Sequence, residues 1–230
     1  WDESAAEPSS KVTIAGTNVE GTLSAYEVYT PAAFRWCVVQ NQPLILKNDI
    51  DMGGANGAEW KVVSFTNVKT QFIIDGGGYT VYNLNMPFGS LLYGLCSKNK
   101  EVRNITFANC KSVNPTRTHF GLIASLMTDG YMTGVHVKDS IVMGRQAISG
   151  LVTGTVPAGQ MDGDNYSYFK NCSVEDTYIY ATTLCVAGFL STPQKSVNIE
   201  NCFVKGAIAL SPGHSGGFVS CGLGSIAVTD

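Results

Sequence analysis

Charge is scarce in this chain: Asp, Glu, Lys and Arg supply 14% of its 230 residues, and the formal net charge is −3. So few cations give no electrostatic case for nucleic acid or for an anionic membrane surface. No run of eighteen apolar residues occurs, which excludes a membrane-spanning helix on length. No pair of cysteines is spaced as CxxC, which leaves a zinc cluster without support. Beyond residue 41 no segment carries a helical period of apolar residues. Glycine, by contrast, reaches 25 residues, a content that suits many short strands meeting at tight corners.

What is present in quantity is self-similarity. Residues 102–113, VRNITFANCKSV, return in altered form three times downstream. The columns Val102/Met132/Phe169/Ile199, Ile105/Val135/Cys172/Cys202 and Phe107/Val137/Val174/Val204 are apolar throughout, and Cys110/Ser140/Thr177/Ala207 are all small. A second cassette follows each copy as Gly94-Leu-Cys, Gly121-Leu-Ile, Gly150-Leu-Val, Gly188-Phe-Leu and Gly217-Phe-Val. Asn or Gly at positions 83, 104, 134, 171 and 201 are separated by 21, 30, 37 and 30 residues. The first value pairs Asn83 with Asn104. A unit near thirty residues that buries its core only by stacking on its neighbours is the signature of a solenoid.

Apolar residues alternate at i and i+2 within each copy, so the units are built of strands. Propeller blades need about forty residues per unit, and the leucine ladder of leucine-rich repeats is missing. The expected fold is therefore an all-β, single-stranded parallel β-helix of about five recognisable coils, right-handed as parallel crossovers nearly always are. A helix is expected near 30–41, with Thr30 as N-cap, Pro31 in the first helical position and Asn41 at its end. Its apolar Ala33, Phe34, Cys37 and Val38 share one face, suited to covering the first coil. Residues 1–24 read as a tether with a first short strand at 11–14, and residues 25–230 as the β-helix domain. Strands are expected at 44–51 and 60–65, and on both sides of the corner at Gly76. An insertion of eight residues interrupts the repeat near 155–168. Seven cysteines are an odd number that follows the repeat, which favours inward-facing thiol fillers over a disulfide framework.

The recurring Gly-Leu/Phe-Val/Ile between strands of Asn-Cys/Ile-x-Val type resembles the GLUG motif of bacterial surface proteins, many of them from Bacteroidetes. The upstream helix, Leu46-Lys-Asn-Asp-Ile-Asp-Met, Trp60 and Phe72-Ile-Ile-Asp-Gly-Gly-Gly-Tyr strengthen the likeness, which extends from about Ala25 to the end. The resemblance implies a β-helical surface module and no particular reaction. It fits an exported protein on the outer surface or in the periplasm, with the acidic, Ser/Pro-containing opening as the remnant of a lipid-anchored leader before Trp1.

Chemistry is expected where the repeat is broken. Asp162, Asp164, Asn165, Tyr166 and Tyr168, beside Tyr178 and Tyr180, combine aromatic surface with carboxylates and a carboxamide, a set suited to sugar stacking and hydroxyl recognition. The leading expectation is non-enzymatic adhesion or ligand binding, with a glycan or surface protein as partner and with no cofactor, metal ligand or catalytic residue. A polysaccharide lyase or glycoside hydrolase is the competing expectation; it needs paired carboxylates about 5 to 10 Å apart, for which Asp139 and Asp176 on adjacent coils are the candidates. A structural module of a longer surface protein is the third, since the chain ends at a point where the next strand would begin. The histidines His119, His136 and His214 fall in different repeat positions, and no serine or cysteine is placed by sequence to form a triad with them. Asp162-Gly-Asp-Asn lacks the ligands an EF-hand loop needs later in the loop.

Overall fold

A computed structural model of the chain describes residues 4–53, 58–63, 71–155, 166–193, 196–222 and 225–229, without the side chains of Cys96, Thr155 and Tyr166. The described residues form a parallel β-solenoid of about five turns. In a complete coil the chain runs through Lys100–Ala108, Lys111–Val113, His119–Gly121 and Ala124–Thr128, and then returns as Tyr131–Lys138 beside the first of these. Each segment belongs to a different sheet, so the stack has one 13-stranded sheet and three of four strands.

The predicted columns are the actual registers. Tyr26, Leu44, Ile74, Val102, Met132, Phe169, Ile199 and Val228 pair in succession along the long sheet. All but Val228 are buried. Ile50, Val81, Phe107, Val137, Val174 and Val204 make a second ladder in the same sheet. Burying a side chain of this size contributes about 1.5–3 kcal/mol, and each coil covers the apolar side chains of the coil before it.

Two corners shape every coil, and both need left-handed backbone. One holds Asn104, Gly134, Asn171 and Asn201 at φ 49, 61, 54 and 50 degrees; the other holds Asn83, Asn109, Asp139, Asp176 and Gly206 at 61, 49, 47, 45 and 65 degrees. Only Gly, Asn and Asp visit this region readily, which accounts for the composition of both columns. Asn83 thus belongs with Asn109, to which its side chain is hydrogen-bonded at 2.6 Å, and not with Asn104 as expected. Asn104 instead follows Arg103, the partner of Asp75, and the first left-handed residue after Asp75 is Gly77 at φ 57 degrees. After the second corner the small column closes the backbone. Ser140 Oγ accepts from the Cys110 N–H at 3.0 Å and donates to the Lys138 carbonyl at 2.6 Å. Thr177 Oγ1 repeats the arrangement one coil on, at 3.4 and 2.7 Å.

The cassette glycines are a matter of space. A Cβ on Gly150 would stand 2.3 Å from the Gly188 carbonyl oxygen, and one on Gly188 would stand 2.1 Å from that of Gly217. Gly121 pairs with Ser149, one residue out of the expected register, and Gly94 pairs with Leu126 instead of heading a cassette.

The helix is Pro31–Val39, with Thr30 Oγ1 accepting from the Ala33 N–H at 3.2 Å and Asn41 turning the chain at φ 54 degrees. Ala33, Phe34, Cys37 and Val38 are its buried residues, and Phe34 lies against Trp60 at a ring separation of 5.7 Å. The opening segment is bound, not a free tether. Glu7 accepts from the Tyr26 hydroxyl at 2.6 Å, and Lys11–Ala15 pairs antiparallel with Thr22–Val28. This hairpin begins the long sheet, its second strand pairing parallel with Leu44–Leu46, and it folds over the sheet's outer face so that Ile14, Val19 and Ala25 enclose Ile73 in a second small core. The stretch 44–51 divides into Leu44–Leu46 and Ile50–Asp51. Around 60–65 only isolated bridges at Glu59 and Val63 form among the described residues.

One expectation for the cysteines is overturned. Cys185 and Cys221 form a disulfide across a Cα–Cα distance of 6.3 Å, tying the last two coils together. Cys37, Cys110 and Cys172 are buried fillers as expected, and Cys202 is half-buried. Burial pushes the Cys37 and Cys110 thiols up to about 12.

The corner reading makes Asp139 a backbone residue. Asp139→Asn and Asp139→Gly are expected to hold stability within about 0.5 kcal/mol, and Asp139→Ala to lose about 1–2 kcal/mol, the cost of left-handed backbone for an ordinary side chain. Urea unfolding checks this, and equal losses in all three variants would contradict it.

Candidate functional site

Side chains alternate across a strand, so the residues flanking the buried ladder of the long sheet form two outward columns. One runs Ile73, Glu101, Tyr131, Tyr168, Asn198 and Ala227; the other runs Asp75, Arg103, Thr133, Lys170, Glu200 and Thr229. Parallel pairing brings successive members to roughly 4.8 Å. The N-terminal hairpin covers the first two rungs and stops at the third.

Under the hairpin lies a closed set of charges. Glu101 is fully buried and accepts from the Thr17 N–H at 3.3 Å, the Asn18 N–H at 3.4 Å and the Asn18 carboxamide at 3.3 Å. Arg103 donates to Asp75 through Nε and Nη2, both at 2.8 Å, and to the Thr17 hydroxyl at 2.8 Å, with Glu101 at 3.7 Å. A buried carboxylate must be paired or hydrogen-bonded, and here that requirement fixes where Thr17 and Asn18 sit.

Beyond these two residues a groove of about 330 Å³ opens on the sheet. Thr17 and Asn18 line it together with Tyr131, Thr133, Tyr168, Lys170, Asn198 and Glu200. The Tyr131 and Tyr168 rings stack at a centroid separation of 4.9 Å and 14 degrees between planes. One column over, Lys170 Nζ meets Glu200 Oε1 at 2.6 Å. The groove therefore offers apolar aromatic surface next to a donor, an acceptor and a carboxamide.

Of the residues expected from sequence to bind ligand, the groove contains Tyr168. Tyr166 opens the strand Tyr166–Lys170, where it pairs with Ser196, and its side chain is outside what is described. Asp162, Asp164 and Asn165, and with them the Asp162-Gly-Asp-Asn loop, lie outside the described residues. Tyr178 and Tyr180 stand apart, on the sheet formed with Lys111–Val113, Ile141–Gly144 and Ile208–Leu210. Tyr131, Lys170, Asn198 and Glu200 were missed. Their signal was present as the positions immediately before and after the buried column.

A second polar cluster lies farther along the same sheet, beyond the corner at Gly134 and Asn171. His136 Nδ1 is 2.8 Å from Ser173 Oγ, which donates to Glu175 Oε1 at 2.9 Å, and Lys138 stands 3.5 Å from Glu175. Sequence spacing did not reveal this Ser–His contact. It runs opposite to a nucleophile triad, because the serine proton goes to the carboxylate and the imidazole is left as donor to the serine. Burial favours a higher Glu175 pKa, but the Ser173 hydroxyl and Lys138 together hold it below the usual range. Burial, with Lys138 adding to it, keeps His136 below its ordinary range, and burial does the same for His119. Asp139 and Asp176, the candidate carboxylate pair, are exposed corner residues with left-handed backbone. Among the described residues no three His, Cys, Asp or Glu side chains are grouped to hold a metal, and no helix is long and apolar enough to cross a membrane.

Comparison with known proteins returned no matching family model, no matching curated protein and no matching solved structure.

His119 and His136 give the fold a pH dependence. Their folded pKa values lie below the unfolded value near 6.5, so the unfolded chain binds more protons as pH falls through that range and stability drops. Melting temperature is expected to fall between about pH 7 and 5.5, with a shallower slope in His136→Gln. Parallel slopes for the two proteins would remove His136 from this account.

Proposed function

We propose that this chain is an exported surface module that binds a glycan without transforming it, and that the groove over Tyr131 and Tyr168 is the binding site. The observation that carries the reading is the stacked tyrosine pair set one column from the Lys170–Glu200 ion pair. Tyrosine gives rigid surface that is apolar on the ring and polar at the hydroxyl. Charged and carboxamide groups beside it meet sugar hydroxyls as donors and acceptors. The groove's volume falls at the small end of ligand clefts, which span roughly 300–1,000 Å³. Its floor is built on rigid sheet.

Export is supported by the Cys185–Cys221 disulfide, since such bonds persist in oxidising compartments. Kinship with GLUG-motif surface proteins belongs to the same reading; it rests on the cassettes at Gly150, Gly188 and Gly217. A lipid anchor ahead of Trp1 and display on a bacterial surface complete it.

Spacing weighs against hydrolysis in the groove. Glu101 and Glu200 are separated by three strand spacings along the stack, about 14 Å, whereas paired glycosidase carboxylates stand about 5 to 9.5 Å apart. Glu101 is in addition sealed beneath Thr17 and Asn18.

A glycan array followed by isothermal titration calorimetry tests the reading. Tyr168→Ala is expected to weaken binding about tenfold, the equivalent of roughly 1.4 kcal/mol, with little change in melting temperature. Tyr178→Ala, on the other sheet, should bind as the parent does. Absence of any glycan ligand, or full affinity in Tyr168→Ala, would sink the proposal.

A further inference from the structure

Taking the groove as a glycan site, we infer that it selects neutral saccharides with adjacent hydroxyls and that Glu200 is the residue that turns anionic glycans away. Among the described lining residues Lys170 is the only cation, and it is already engaged by Glu200 at 2.6 Å. The nearest other cation in the two outward columns, Arg103, is 7% exposed and held by Asp75, Glu101 and Thr17. A uronate or sulfate entering the groove thus meets one compensated ammonium, the carboxylate of Glu200, and a second carboxylate beneath the Thr17–Asn18 wall.

A neutral sugar meets the same groups on better terms. A carboxylate accepts through two oxygens and an ammonium carries three donors, so the ion pair keeps capacity on both sides. One hydroxyl donates to Glu200 while its neighbour on the ring accepts from Lys170. The tyrosine column lies two residues along the strands from the ion pair, roughly 6.6 Å away. The polar edge of a ring therefore sits over Lys170 and Glu200 as its apolar edge reaches Tyr131 and Tyr168. Both columns follow the stacking direction, which sets a chain of sugars along the solenoid axis.

Calorimetric titration at low salt with a β-1,4-glucan hexasaccharide, a β-1,4-mannan hexasaccharide and a galacturonate hexasaccharide tests the inference. The parent should bind a neutral chain at least about tenfold more tightly than galacturonate. Glu200→Gln leaves Lys170 uncompensated; it should lose about fivefold on the neutral ligand and gain about tenfold or more on galacturonate, the gain fading with added salt. Lys170→Met should lose neutral affinity and gain nothing for galacturonate. Both side chains are about half exposed, 50% and 43%, so both variants should melt as the parent does. Equal or tighter galacturonate binding by the parent, abolished in Tyr168→Ala, would overturn the selectivity and leave the groove as the site. Failure of Glu200→Gln to gain galacturonate would overturn the role of Glu200. Absence of binding to any of the three chains would overturn the inference, and a ligandless glycan array would take the glycan reading with it.

Discussion

The molecule depends on parallel, in-register pairing held constant from one coil to the next. Tyr26 through Val228 stand in one line because each coil turns at the same two places, and it turns there because Asn, Asp or Gly accepts left-handed backbone. A one-residue slip would send Val102, Met132 and Phe169 to solvent and bring Arg103, Thr133 and Lys170 inside. Hydrophobic burial and corner geometry therefore specify the same register independently. The hydroxyls of Ser140 and Thr177 reinforce it by satisfying N–H groups that the second corner leaves outside the ladders.

The groove is a by-product of that register. No loop gathers its residues; they come from equivalent positions of successive coils, and their spacing is the strand spacing. What distinguishes this part of the sheet is the N-terminal hairpin, which buries Ile73 and Glu101 and ends at Thr17 and Asn18. The buried carboxylate of Glu101 anchors the end of the hairpin, and the aromatic column begins one rung beyond it. The same sheet face is thus core at one end and an open groove at the other.

Much of this was legible in the sequence, for identifiable reasons. The buried columns and the helix could be read because periodicity and capping are local patterns. Asn83 was misplaced because each coil has two left-handed corners and an asparagine satisfies either; only the pairing of Tyr82 with Ala108 tells them apart. Gly94 was misplaced because a glycine before a leucine is a weak mark without its neighbour's carbonyl in view. The partner of Cys185 could not be found from spacing, since Cys221 lies in the final turn, where the repeat has lost its regularity. Among the groove residues Tyr168 stood out in the sequence because it adjoins the insertion. Tyr131, Lys170 and Glu200 carry no such mark, because they occupy regular positions of the repeat, which itself aligns them.

The central claim is that outward residues on three successive coils act with the hairpin tip as one ligand surface. Amide chemical-shift mapping during titration with a neutral oligosaccharide tests it most directly. The account predicts that residues 131–133, 168–170 and 198–200 shift together with Thr17 and Asn18 along a single binding curve. Shifts confined to the sheet that carries Tyr178 and Tyr180, or scattered without a common curve, would contradict it.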